Sequence, residues 1–230
     1  MQLLFGVLGE PTPPAIDLFS SLAATTADSN RDITPTLEAA GDVRIGHVAR
    51  SFASWQDQAR DRSFHLDGEI RSIDGRDTSG KGASEGDRAA LTELYERHGP
   101  AMWERLDGSF VLVVRDRRTF HVGVDVVGTR AIYWWAGSGV LAFHSHLMDL
   151  AGAVPAAALS EDLGAIGGFL ECGRYAPSET AYREIRHLGA GQCLTFVGGE
   201  VTTREYFGLV SVEPRPSRPQ RVVVDELVGL

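Results

Sequence analysis

The stretch from Leu106 to Leu150, LDGSFVLVVRDRRTFHVGVDVVGTRAIYWWAGSGVLAFHSHLMDL, constrains the fold more than any other part of this chain. Four apolar runs, Phe110–Val114, Phe120–Asp125, Ala131–Trp135 and Val140–Ser145, are rich in β-branched and aromatic residues. Turn chemistry at Arg115–Arg118, Val127–Gly128 and Gly137–Gly139 separates them, so they read as an antiparallel meander. The run Phe110–Val114 is apolar at every position, which requires both faces of its strand to be covered. A sheet packed between two other layers follows.

The size of the chain limits how many such layers it can build. Its 230 residues, 43% of them hydrophobic, suffice for one sizeable domain of mixed helices and strands. A formal charge of −9 argues against a general binder of nucleic acid or anionic membrane, since such binding relies on clustered Lys and Arg. Lys81 is the sole lysine and no basic stripe is visible. Cys172 and Cys193 stand far apart with no metal-ligand spacing, so buried reduced thiols are expected and no metal site. His144 and His146 share a strand face and His121 lies nearby in sequence, but two ligands do not close a site. The N-terminus lacks a positive n-region and is broken by Gly9 and Pro11, and no apolar run reaches membrane-spanning length. A cytoplasmic protein is expected.

Along the chain, Leu3–Leu8 reads as a short buried strand, and Ile16, Phe19 and Leu22 recur at helical spacing after the proline cluster. Thr25–Pro35 is polar and loop-like. Val43–Phe52 alternates as a strand would. Gly75–Gly82 fits the outline of a phosphate loop, but Gly82 stands where a magnesium-binding hydroxyl is needed. Ser84 and Asp87 form a capping-box start for a helix carrying Leu91, Leu94 and Tyr95 and ending near Gly99-Pro100. Ser160-Glu161-Asp162 opens another helix, whose buried stripe would be Leu163, Ile166, Phe169 and Leu170. A final hairpin turns at Gly198-Gly199. Pro214, Pro216 and Pro219 then make a stiff linker, and Val223, Val224, Leu227 and Val228 recur as the start of an amphipathic helix. These features divide the chain into a domain over 1–208 and a linker with the start of a following segment over 209–230.

Several ordered motifs resemble the class II glutamine amidotransferase domain of asparagine synthetases. They are LDGSF at Leu106–Phe110, the pattern D-x-x-G-x-R-x-x-Y at Asp125–Tyr133, F-x-S at Phe143–Ser145, and Gly46-His47. Asp67-Gly68-Glu69-Ile70 and the Pro177-to-Gly191 run, with Ser178, Thr180, Ile185 and Leu188 in place, extend the match to roughly Leu3–Tyr206. The resemblance implies an α+β, four-layer αββα N-terminal-nucleophile fold with two facing antiparallel sheets. It also implies substrate-binding roles: Asp67 and Gly68 stand at the family's oxyanion hole, and Glu69 and Asp87 match acids that receive the substrate ammonium. Read by themselves, Glu69 is a surface carboxylate beside a turn and Asp87 a first-turn acid favoured by the helix dipole.

Three departures bear on activity. Family members that hydrolyse glutamine expose an N-terminal cysteine, whose thiol attacks the amide while its own amine serves as base; here Met1 and Gln2 stand at its place. Ala49 occupies the position of the arginine that holds the substrate carboxylate, and Arg50, one residue late, faces the other way unless a bulge intervenes. Asp67 replaces the oxyanion-hole asparagine, and a carboxylate is the wrong group to meet a developing negative charge. Hence a concavity of negative character is expected around Asp67, Gly68, Glu69 and Asp87, with no catalytic nucleophile.

The leading expectation is an amidotransferase-like domain that has lost glutaminase activity. It would serve an asparagine-synthetase-type adenylating domain in cis or in trans, as in β-lactam synthetases and lasso-peptide cyclases. This chain would carry no cofactor, and ATP and magnesium would belong to that partner. Two alternatives stand beside it. One is an active glutaminase with a misassigned or processed N-terminus, cut before Ser20, Thr25 or Thr26. The other is a free-standing amino-acid-binding module.

Overall fold

The computed structural model describes residues 3–29, 35–48, 52–78 and 83–208. β1 (Leu3–Leu8) is buried along its whole length, and α1 (Pro13–Ser29) follows it. Next come β2 (Thr36–Ala40), β3 (Val43–Val48), β4 (Phe52–Asp57), β5 (Arg62–Ile73) and the short β6 (Arg76–Asp77). α2 (Glu85–His98) runs into a 3-10 turn at Gly99–Arg105. β7 (Leu106–Asp116), β8 (Thr119–Val124), β9 (Ile132–Gly137) and β10 (Val140–His144) lead to α3 (Leu147–Ala153) and α4 (Leu163–Cys172). β11 (Arg186–Leu188), β12 (Gln192–Val197) and β13 (Glu200–Glu205) close the described chain.

Two antiparallel sheets result. The first has the order β11-β9-β10-β1-β3-β2, and the second β13-β12-β8-β7-β5-β4 with β6 on β5. Leu4, Ile45, Leu141 and Phe143 of the first sheet meet Val111, Val113, Val122 and Leu194 of the second in a core between them. α1 and α3 cover the outer face of the first sheet over Phe5, Val7, Leu22 and Leu150. α2 and the 3-10 turn cover the second sheet over Phe64, Leu66, Leu94 and Trp103. The expected αββα sandwich is therefore present. β7 shows why: Phe110, Leu112 and Val114 face the helices, Val111 and Val113 face the other sheet, and all five are at most 1% exposed. At one end Arg115 of β7 donates to Asp42 of the β2–β3 turn (2.5 Å), tying the sheets together.

Local chemistry explains the elements. Ser84 caps α2: its hydroxyl accepts from the Asp87 N–H, and the Asp87 carboxylate accepts from the Ser84 N–H, a reciprocal capping box. Gly46 lets the Phe5 ring lie flat on β3, where any Cβ would run into it. Three sequence expectations change. The four runs are two hairpins in different sheets, β7–β8 and β9–β10, because the chain crosses between sheets at Asp125–Arg130. The polar Thr25–Ser29 stretch stays helical, with Thr26 tied back to the Leu22 carbonyl. In α4 only Ala165 is buried, while Leu163, Phe169 and Leu170 are 70%, 39% and 78% exposed. That helix is anchored at its start, through the Asp162 N–H to the Ala181 carbonyl and the Glu161–Tyr182 bridge, and its apolar stripe turns outward.

Candidate functional site

Asp67 stands on β5 directly opposite Val111, so its side chain points between the sheets, and it is 3% exposed. The next residue, Gly68, has φ +116°, and a Cβ there would strike the Ser109 carbonyl and lie 2.9 Å from Arg130 Nε. Only glycine fits both the backbone and the space. Glu69 stands opposite Ser109 with its side chain exposed.

The crossing loop brings a cation to this carboxylate. Asp125, 1% exposed, organises the loop: Oδ1 accepts from the N–H groups of Val127 (3.0 Å) and Thr129 (3.2 Å), and Oδ2 from the Phe110 N–H (3.2 Å) and the Thr129 hydroxyl (2.5 Å). Gly191 donates to the Asp125 carbonyl, and the Tyr206 hydroxyl donates to that of Val124 (2.5 Å). Held this way, the loop delivers Arg130, whose Nη1 donates to Asp67 Oδ2 at 3.1 Å. Burial pushes the Asp67 pKa up, and the Arg130 guanidinium draws it part of the way back. Asp67 and Arg130, with Leu4, Thr129, Ile132 and Ser145, line a cavity of about 220 Å³. It lies beside the first residues of β1, where Ser145 Oγ accepts from the Leu4 N–H at 3.1 Å. Two buried atoms of these side chains, Asp67 Oδ1 and Arg130 Nε, have no hydrogen-bond partner among the described residues.

Of the four residues singled out by sequence, Asp67 lines this cavity, Gly68 stands outside its lining but lets Arg130 pack close to β5, Glu69 also lies outside it, and the Asp87 carboxylate serves the α2 cap. The expected negative concavity is corrected, because Arg130 meets the Asp67 charge. Sequence reasoning passed over Arg130, although the D-x-x-G-x-R pattern carries it. Met1, Gln2, Ala49 and Arg50 lie outside the described residues. Ser20, Thr25 and Thr26 all lie within α1, and cutting before any of them would remove β1 from the middle of its sheet. Thr129 and Ser145 put hydroxyls at the cavity, but Thr129 donates to Asp125 and neither is hydrogen-bonded to an imidazole among the described residues. Cys193 is buried on β12, whereas Cys172, expected inside, is exposed at the end of α4. The histidines separate: His144 ends β10 and bonds Thr26 (2.9 Å), His146 precedes α3, and His121 bonds Thr195 on the other sheet. Among the described residues no group of three His, Cys, Asp or Glu is placed to hold a metal, and no helix is long and apolar enough to cross a membrane.

Three solved structures are similar to this chain to different degrees. The PRPP amidotransferase from B. subtilis, solved with ADP and GMP, is 13% identical over 89% of this chain and 49% of its own, with a TM-score of 0.49. A structure described as the allosteric regulatory enzyme of purine biosynthesis is 12% identical over 89% and 49%, with a TM-score of 0.51. A class-II glutamine aminotransferase domain protein from Silicibacter pomeroyi is 13% identical over 89% and 98%, with a TM-score of 0.40. The chain thus spans about half the length of the first two. No curated protein matches it in sequence. A family model for the glutamine amidotransferase domain matches residues 74–207, a span that holds β7, the Asp125–Arg130 crossing and the closing hairpin. That match covers more than half of the chain, which therefore belongs to the glutamine amidotransferase domain family and has its N-terminal-nucleophile sandwich.

Proposed function

We propose that this chain is an asparagine-synthetase-like amidotransferase domain that has lost glutamine hydrolysis and serves an ATP-dependent amide- or lactam-forming synthetase. The supporting observation is the Asp67–Arg130 pair. Arg130 lies across Gly68 and engages the carboxylate that stands in place of the family's oxyanion-hole asparagine. A tetrahedral oxyanion formed there would meet an ionised carboxylate and a guanidinium already bonded to it, in place of two free donors. The sequence adds Ala49 at the position of the carboxylate-binding arginine.

ATP and magnesium are assigned to the partner, since the glycine-rich Gly75–Gly82 run ends in glycine where magnesium needs a hydroxyl. The partner would activate a carboxylate and close the amide with an amine already present in its substrate. Residues 209–230, expected as a linker, lie outside the described residues, and the cytoplasm is the expected compartment. A second reading, an amino-acid-binding module, draws support from the unpartnered Asp67 Oδ1 and Arg130 Nε at the cavity.

An ammonia-release assay with glutamine, combined with intact-mass spectrometry of the N-terminus, tests the proposal. We expect no ammonia above background and a retained Met1. Glutaminase activity from a mature Cys, Ser or Thr terminus would overturn it. Glutamine binding without turnover, lost in Asp67→Ala, would favour the binding module.

A further inference from the structure

The sandwich is open along the edge where β2 and β4 lie side by side. There Glu38, Ser54, Gln56 and His65 line a second pocket between the sheets, of about 470 Å³. Glu38 stands opposite the core residue Ile45, and His65 opposite Val113, so both side chains turn inward. His65 is 5% exposed. Its Nε2 lies 3.3 Å from Ser63 Oγ, and its Nδ1 has no hydrogen-bond partner among the described residues while lying 3.8 Å from Glu38 Oε2.

With Ser63 accepting from Nε2–H, Nδ1 keeps a lone pair turned toward a carboxylate oxygen; with Ser63 donating to Nε2, Nδ1 carries the hydrogen and offers it to Glu38 itself. Burial, helped by the nearby His47, lowers the His65 pKa to about 4, so the imidazole is neutral at pH 7 and does not answer the Glu38 charge. Burial lowers the His47 pKa as well, with the Glu38 charge opposing it, and the His47 ring stacks on Phe52 at 3.7 Å. Among the described residues no Lys or Arg lines the pocket. In the first tautomer two acceptor atoms stand side by side, one charged and both without a donor among the described residues, and they call for a group that brings several N–H donors and a positive charge on one nitrogen.

We propose that this pocket binds a primary ammonium group, with Glu38 Oε2 and His65 Nδ1 accepting two of its N–H donors. The site is separate from the Asp67 cavity and does not depend on whether glutamine is hydrolysed.

The test uses the full chain titrated with n-butylammonium chloride and followed by the ¹⁵N shifts of the His65 imidazole. Tetramethylammonium chloride, of equal charge but without N–H donors, is the control. We expect butylammonium to move His65 Nδ1 saturably, tetramethylammonium to bind at least tenfold more weakly, and Glu38→Gln to weaken butylammonium at least tenfold. Equal binding of the two cations, or an affinity within twofold of wild type in Glu38→Gln, would overturn the proposal. So would an imidazole proton residing on Nδ1 in the free protein. Should His65→Gln fail to fold, Glu38→Gln on the partly exposed β2 edge still decides the question.

Discussion

Two cavities open between the same pair of sheets, each with a carboxylate in its wall, and they differ in what answers that carboxylate. Asp67 has a guanidinium 3.1 Å away, supplied by a loop from the crossing between sheets. Glu38 has an imidazole at 3.8 Å and, among the described residues, no Lys or Arg lining its pocket. The first wall is charge-balanced from within, and the second is left for a ligand to balance. Counting acids along the sequence cannot separate these cases, because the deciding residue in each lies on another strand or loop.

The comparison is broken most forcefully at Arg130. Removing one partner of a buried pair leaves an uncompensated charge, so Arg130→Met should lower unfolding stability by about 3–5 kcal/mol at pH 7 in urea titrations. The double variant Asp67→Leu with Arg130→Met should recover most of that loss. Burial already raises the Asp67 pKa, and losing Arg130 raises it further. The folded state then holds a proton that the unfolded chain releases, so the deficit of Arg130→Met should shrink as pH falls toward the unfolded carboxylate pKa. Equal stability of Arg130→Met and wild type at pH 7 would mean that the pair carries no weight.

Acid should act oppositely on the histidines. His65, His121 and His144 are each held near pKa 4 by burial, against an ordinary 6.5. Between those values the unfolded chain binds more protons, so their contribution is complete above pH 6.5 and is lost as pH falls toward 4. At pH 5 His65 and His121 should each cost ~2 kcal/mol, read as a drop in the urea midpoint relative to pH 7, and His144, beside Asp149, should act in the same direction. A midpoint unchanged from pH 7 to 5 would contradict the burial of these rings.

Smaller changes sharpen the contrast. Tyr206→Phe removes the hydroxyl that holds the Val124 carbonyl beside the Arg130 loop, and should cost about 1 kcal/mol with faster amide exchange at Val127 and Thr129. Protection unchanged at those amides would show the loop to be held by Asp125 alone. Glu38→Gln should change stability by less than about 0.5 kcal/mol, since its side chain is 35% exposed and fixes no element. A large loss there would mean that Glu38 is structural and not a ligand group.

Local chemistry was legible in the sequence wherever it was self-contained. The Ser84–Asp87 capping box, the Gly198-Gly199 hairpin and the doubly covered β7 each follow from a few adjacent residues. Period-2 patterning identifies strands but not their neighbours, so the division of one apparent meander between two sheets was hidden. α4 shows the same limit: helical spacing of Leu163, Ile166, Phe169 and Leu170 reads alike whether the stripe turns inward or, as here, outward. At the site, Asp67-Gly68 was visible as a motif. The Arg130 contact spans 63 residues of chain and depends on the Asp125 loop, which no spacing rule reports.

The position of β1 in the middle of its sheet also sets an order of events during synthesis. Phe5 pairs with Gly46 on one side and with His144 on the other, so one flank of the first strand waits until β10 has left the ribosome. Pairings of such sequence separation are slow to find, because the intervening loop must be closed before the contacts repay it. The second sheet builds its centre from β5, β7 and β8, all made before β10. A nascent chain stopped just short of β10 would hold a nearly finished second sheet beside a first sheet with its earliest strand half unpaired. Its apolar residues Phe5 and Val7 would be a ready target for chaperones.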